Sequence, residues 1–140
     1  MKKKICIVMS TYNNDITKEL YLSAKIVLEK KFNKSTGLIN HDLVEVPGAF
    51  EIPVTISRLA KKYDGFIAIG CIIKGETVNF DLISNSITNG IMEIAIKEKK
   101  PIGNAILTCF NKNQAKERFE KGSEAANAVI AVLNNGTKKK

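Results

Sequence analysis

Eight residues, "FIAIGCII" from Phe66 to Ile73, form an apolar run that no charged or amide side chain interrupts. The run is short for a core helix, lacks the alternation of a half-exposed strand, and is rich in β-branched isoleucine. That combination predicts a strand covered on both faces. Such strands sit at the centre of parallel sheets, whose neighbouring strands are joined by crossovers, usually helices. One short stretch thus asks for helical segments before and after it.

The chain supplies them in alternation. "KICIVMS", residues 4–10, reads as a first strand. Asn14 or Asp15 then caps a helix that carries Ile16, Leu20, Ala24, Val27 and Leu28 on one face. "NKSTGLIN", rich in turn formers, ends it. "HDLVEVPG" reads as a second strand. Pro53 suits an early helical position, with Val54, Leu59 and Ala60 facing inward from a helix that ends near Asp64 and Gly65. After the central run, Phe80, Ile83, Ile87, Ile91 and Ile94 share one face of a long helix reaching about Lys99. Pro101 precedes a fourth strand, "NAILTCF". A last helix begins near Asn113, is interrupted near Gly122 and resumes through Ala125, Val129 and Leu133; the interruption is either a kink or a break between two short helices. Four β-α units in a single domain, residues 1–140, predict an α/β fold: a four-stranded parallel sheet with helices on both faces, a three-layer α/β/α sandwich.

Composition narrows the function classes. An apolar share of 44% and a charged share of 26% are those of a soluble globular domain. No window holds the ~18 apolar residues of a membrane span, and Ile5–Met9 is shorter than the ~7–15 residues of a secretory signal core. Cys6, Cys71 and Cys109 lie in or beside apolar runs without metal-like spacing, which predicts buried thiols in a reducing, cytoplasmic setting and no metal site. The net charge of +8 is spread along helices and gathered at Lys2–Lys4 and Lys138–Lys140, while aromatics make up only 6% of the chain. This pattern describes a solvated surface with some attraction for anionic small molecules, not a nucleic-acid interface.

In open parallel sheets, ligands bind beyond the carboxyl ends of the strands. That rule selects the loops at residues 10–14, 47–51, 74–80 and 111–113. In the first, Tyr12 either stacks on a flat heterocycle or packs at the sheet rim. In the second, "VPGAFEIP" offers Gly48 for a close backbone, Ala49 and Phe50 as walls of an apolar slot, and Glu51 as an acceptor for ligand hydroxyls or as a first-turn acid that complements the helix dipole. The third, "IIKGETVNFD", has the makings of an anion site: Gly75 lets the backbone approach, Glu76 and Thr77 present N–H groups at a helix start, and the Thr77 hydroxyl adds a donor. An ordinary capped helix would look the same. Arg118, one of two arginines, is suited to bidentate phosphate contact, yet it lies some way into the last helix, where it either faces another subunit or is an ordinary surface arginine.

Taken together, "VPGAFEIP", "IAIGCIIKGET" with a following phenylalanine and "SN", "PIGNAILT" and "ERFEKGSEAANA" resemble the lumazine synthase family of riboflavin biosynthesis over nearly the whole chain. The resemblance implies a flavodoxin-like fold, assembly into pentamers, decamers or shells of pentamers, and active sites shared between neighbouring subunits. It implies condensation of 5-amino-6-(D-ribitylamino)uracil with 3,4-dihydroxy-2-butanone 4-phosphate to 6,7-dimethyl-8-ribityllumazine, phosphate and water, without cofactor or metal, and it makes riboflavin synthase a possible pathway partner. Carried over by position, Tyr12 stacks on the pyrimidine, Ala49, Phe50 and Glu51 line its pocket, and Cys71, Ile72 and Ile73 form the strand edge that meets the ring. Glu76 and Thr77 match the phosphate-binding pair. Asn104 matches a further substrate contact, Arg118 reaches the phosphate from the neighbouring protomer, and Lys121 adds positive charge.

One position departs from the family. Two residues after Thr77, where the family has a proton-transferring histidine, this chain has Asn79. A carboxamide donates hydrogen bonds but does not titrate. The only histidine, His41, falls at the start of the second strand, the end of the sheet away from the site. The expectation is a functional but slow lumazine synthase in which Asn79 orients substrate or water; the alternative is a non-catalytic relative that binds a lumazine or flavin, or serves assembly. A first strand that starts at once and a short link from Arg118 to Gly122 point to a pentamer.

Overall fold

The structure, a computed structural model, describes residues 3–34, 39–76 and 78–135. The centre of the turn-rich stretch (residues 35–38) and the carboxyl-terminal lysines lie outside the described residues. The expected alternation is present. Strands β1 (Lys3–Ser10), β2 (Ile39–Val46), β3 (Gly65–Ile73) and β4 (Ile102–Cys109) form one sheet in the order β2-β1-β3-β4, and every pairing is parallel. The apolar run that starts the argument is β3, between β1 and β4, and its burial is complete from end to end.

Helices α1 (Asn14–Lys34) and α5 (Lys121–Asn135) cover one face of the sheet, and α2 (Ile52–Leu59) and α3 (Phe80–Glu98) cover the other. Strand alternation sorts the side chains between two cores. Ile5, Ile7 and Met9 of β1 and Ile67, Ile69 and Cys71 of β3 pack with Ile16, Leu20, Ala24 and Leu28 of α1. Cys6, Val8, Phe66, Ala68 and Ile72 pack with Ile52, Ile56, Ile87 and Ile91 on the opposite side. Period two in the strands meets period 3.6 in the helices, which makes three layers the only economical arrangement.

Two details differ from the expectation, and a third decides between two alternatives. Val54 is exposed, because Ile52 and Ile56, one helical turn apart, take the inward stripe of α2 and rotate Val54 away. The interruption near Gly122 is a break, with a short α4 (Lys112–Lys116), a turn at residues 117–120 and then α5. Asn111 caps α4, its Oδ1 accepting from Gln114 N–H at 2.9 Å, while Gln114 Oε1 accepts from the N–H of Phe110, one residue before the cap, at 2.8 Å. Strand β4 also begins two residues earlier than expected, directly after Pro101.

Two glycines bring α5 close to its neighbours. A Cβ on Gly103 would lie 2.5 Å from the carbonyl oxygen of Ala125, and one on Gly122 would collide with the carbonyl of Leu20 in α1. Backbone therefore rests on backbone at two points in the first turns of α5, next to the turn that carries Arg118. Among the described residues, no helix is long and apolar enough to cross a membrane.

Candidate active site

The strand order reverses between β1 and β3, since β2 lies on one side of β1 and β3 with β4 on the other. Loops leaving the carboxyl ends of β1 and β3 diverge there and open a crevice. Tyr12, Ala49 and Phe50 line it from the first two loops, and Cys71, Ile72, Ile73 and Glu76 from the end of β3, around an open cleft of about 170 Å³. Backbone bonds hold the two loops together: Thr11 N–H donates to Val46 O at 2.8 Å and Tyr12 N–H to Pro47 O at 3.0 Å. Six of the expected substrate-binding residues, with Glu76 of the phosphate-binding pair, thus meet in one place. Tyr12 is 59% exposed and Phe50 65% exposed, an unusual position for two aromatic rings beside one another unless something covers them.

Glu51 is engaged at the rim and does not line the cleft. Its Oε1 accepts from Gly48 N–H at 2.8 Å, closing the turn that projects Ala49 and Phe50. Of the two roles open to it in the sequence, the local one is displayed here.

Beside the cleft, residues Lys74–Glu76 form a single turn of 3-10 helix ahead of α3. Gly75 has open space around it, so the backbone is accessible to an anion. Thr77 lies outside the described residues. Asn79 is the residue that precedes α3, with φ −109° and ψ 48°, yet its side chain makes no capping bond; the backbone carbonyl accepts from Ile83 N–H at 2.9 Å instead. Its exposed carboxamide borders a second hollow of about 360 Å³, with Lys74 and Asp81 among its walls. No residue is common to this hollow and the Tyr12 cleft.

Asn104, Arg118 and Lys121 gather elsewhere. They line a hollow of about 470 Å³ along the free edge of β4, together with Ile106, Thr108 and Glu117. Arg118 sits in the turn between α4 and α5, not within a helix as its sequence position suggested. The Asn104 Oδ1 accepts from Ile106 N–H at 3.0 Å. This group shares no residue with the Tyr12 cleft, so the site residues fall into two sets on one chain.

All three thiols are free and buried, and burial opposes their ionisation. Burial pushes Cys71 up to about 12, with smaller contributions from Cys109, Glu76 and Asp15 against an opposing one from Lys112. Cys6 is likewise raised to about 12, first by burial and then by Asp42, and Cys109 is raised by burial with Arg118 opposing. Cys71 offers the cleft an apolar wall and a backbone carbonyl. His41 pairs with Ile5 early in β2, remote from the carboxyl ends of the strands.

Two features of the site were missed in the sequence. Asn13 occupies the left-handed region at φ 61°, and its Nδ2 donates to Cys71 O and to Glu76 Oε1, each at 3.2 Å. Lys74 Nζ lies 5.3 Å from the centre of the Phe110 ring. The tandem asparagines of "YNN" are a faint signal for a left-handed turn, but partners about sixty positions away leave no local trace.

A chain with this crevice and loop order has many relatives. The sequence profile of 6,7-dimethyl-8-ribityllumazine synthase matches residues 2–136. A 6,7-dimethyl-8-ribityllumazine synthase of Albidiferax ferrireducens is 41% identical over 138 residues, covering 95% of this chain and 85% of that one. One from Leuconostoc mesenteroides is 37% identical over 139 residues, covering 94% and 87%. Another from Agrobacterium fabrum is 36% identical over 144 residues, covering 94% and 93%. Identity at this level along nearly the full length, together with the profile match, means that the chain belongs to the 6,7-dimethyl-8-ribityllumazine synthase family.

Proposed function

We propose that this protein is a lumazine synthase, a transferase that condenses 5-amino-6-(D-ribitylamino)uracil with 3,4-dihydroxy-2-butanone 4-phosphate, and that it turns over slowly because Asn79 replaces the histidine. The observation that carries the reading is the division of the site. The Tyr12 cleft, at about 170 Å³, is smaller than the ~300–1,000 Å³ of a typical small-molecule site. The cationic residues that would neutralise a phosphate lie on another edge of the same chain. A homo-oligomer, with the Arg118 edge of one protomer against the Tyr12 cleft of the next, completes a pocket of suitable size and charge. Exposed Leu82, Met92 and Ile96 on α3 support an assembly, for which a pentamer is our choice.

In this reading Tyr12 and Phe50 hold the pyrimidine by stacking and apolar contact. The backbone near Gly75, together with Thr77 and the neighbour's Arg118, holds the phosphate. Gathering an amine and a ketone in one cleft supplies much of the rate, since orientation alone is worth a large share of a bimolecular barrier. Asn79 orients substrate or water by hydrogen bonding; proton transfers fall to solvent and to the reactants. Three free, buried cysteines suit a reducing cytoplasm.

The test is absorbance of the lumazine product after mixing both substrates with and without protein. A rate several times the uncatalysed one supports the enzyme. Equal rates together with tight binding of the product would favour the non-catalytic binder that the loss of histidine also allows. Shared sites make a second demand: Tyr12→Ala and Arg118→Ala, each weak alone, should regain activity when co-assembled, because some clefts then combine two intact halves. Mixtures no more active than their parts would exclude a site between protomers.

A further inference from the structure

We infer that Asn13 is a positioning residue that ties the ring cleft to the anion loop by holding Glu76. The inference rests on the lumazine synthase reading for its consequences, though not for its geometry. Pairing between β1 and β3 ends at Met9 and Ile69, so the carbonyl of Cys71 lies beyond the last rung of that ladder. A strand carbonyl left without a partner in a half-buried place is costly. On that side Asn13 supplies a donor: its Nδ2 reaches Cys71 O at 3.2 Å. The same Nδ2 also donates to Glu76 Oε1 at 3.2 Å. One side chain therefore bridges the crevice from the β1 side, anchoring on the rigid end of β3 and holding the acid that follows Gly75.

The backbone of Asn13 makes this possible. With φ at 61° the residue turns the chain sharply after Tyr12, and its carbonyl accepts from Ile16 N–H at 2.9 Å and Thr17 N–H at 3.0 Å at the start of α1. Asparagine is one of the few side-chain-bearing residues that adopts this conformation readily. Tyr12, the helix start and the bridge to Glu76 are thus set by adjacent atoms. Glu76 is exposed and negatively charged beside a loop that would receive phosphate. Held by Asn13, its carboxylate stays on the Tyr12 side, where it lines the cleft, instead of swinging over Gly75 to repel the anion.

The test separates side chain from backbone. Asn13→Gly keeps the left-handed turn and deletes the amide, whereas Asn13→Ala strains the turn as well. In steady-state assays of the assembled protein, Asn13→Gly should raise KM for the phosphorylated ketone about five- to tenfold, the equivalent of one ordinary, solvent-screened hydrogen bond, while KM for the pyrimidine moves less. In a Glu76→Ala background the same substitution should change that KM by less than about twofold, the mark of two residues acting through one contact. Equal effects in both backgrounds would overturn the inference and leave Asn13 a purely structural residue. Amide hydrogen exchange of the full chain supplies a readout that needs no activity. Asn13→Gly should accelerate exchange at Gly75 and Glu76 with little change at β4, and unchanged loop exchange would also overturn it. Wild-type protein that makes no lumazine yet shows the exchange response would refute the enzyme reading while sustaining the bridge.

Discussion

Restoring an imidazole at position 79 is the sharpest probe of how this site works. Asn79→His costs little in folding. The native carboxamide caps nothing, the helix-starting bond comes from the backbone carbonyl, and the side chain is exposed. A surface change of this kind stays within about 0.5 kcal/mol. The new imidazole would stand at the amino end of α3, whose dipole disfavours its cation, with Asp81 in the first turn favouring it. These influences oppose each other, so the ring should titrate near the ordinary value of about 6.5 and be roughly three-quarters neutral at pH 7. Both protonation states are then available for taking and giving a proton. A fully positioned acid–base group contributes about 10²–10⁴-fold; an imidazole without a second group to orient it should supply less, about 10–10²-fold in kcat. KM for the pyrimidine should stay within about twofold, since stacking is untouched. The assay is appearance of the lumazine chromophore with both substrates saturating, corrected for the uncatalysed reaction, from pH 5.5 to 8.5. Wild type should show no inflection from this position, and the variant should gain one near pH ~6.5. An unchanged kcat and an unchanged profile would mean that proton transfer does not limit this enzyme, or that position 79 faces away from the reacting atoms; either outcome refutes the reasoning.

Other expectations follow from the same geometry. Tyr12→Ala should raise KM for the pyrimidine about 10–10²-fold by loss of a stacking ring, with Tyr12→Phe close to wild type, as read by steady-state kinetics. Gly122→Ala should destabilise the fold by about 1–3 kcal/mol or more in urea titration, because the added methyl meets the Leu20 carbonyl and α5 has to move. Stability should fall as pH rises from about 9 towards about 12, the interval over which unfolded thiols ionise while Cys6 and Cys71 stay protonated in the native state. The slope approaches about 1.4 kcal/mol per pH unit for each thiol, and a Cys6→Ala, Cys71→Ala pair should flatten the alkaline limb of a melting-temperature profile.

Most of the fold was legible because it depends on local periodicity. The Phe66–Ile73 run fixed a central strand, and the faces written by Ile16–Leu28 and Phe80–Ile94 required helices on both sides of it. Val54 was misread because an apolar residue after a proline fits more than one helical phase, and only the packing of Ile52 and Ile56 selects one. The cleft was readable for a different reason: the position of strand ends determines which loops converge, so Tyr12, Ala49 and Phe50 could be grouped before any contact was known, and the resemblance added Cys71. Asn13 could not, because its two acceptors come from distant segments and nothing in the "YNN" triplet encodes them. Arg118 and Lys121 were assigned to a neighbour's site by resemblance, and their separation from the Tyr12 cleft gives that assignment a geometric motive.

The Asn104 side chain has a consequence for how protomers can join. By accepting the outward N–H of Ile106, its carboxamide plugs one of the open docking points along the rim of β4. A visiting strand would find that rung occupied and would have to evict the plug before it could extend the ribbon. Contact with an adjoining molecule is thereby steered towards side chains such as Arg118 and Lys121, whose charge can discriminate a phosphate. A sheet that seals its own margin stays finite, and the surface beside the seal is left for recognition.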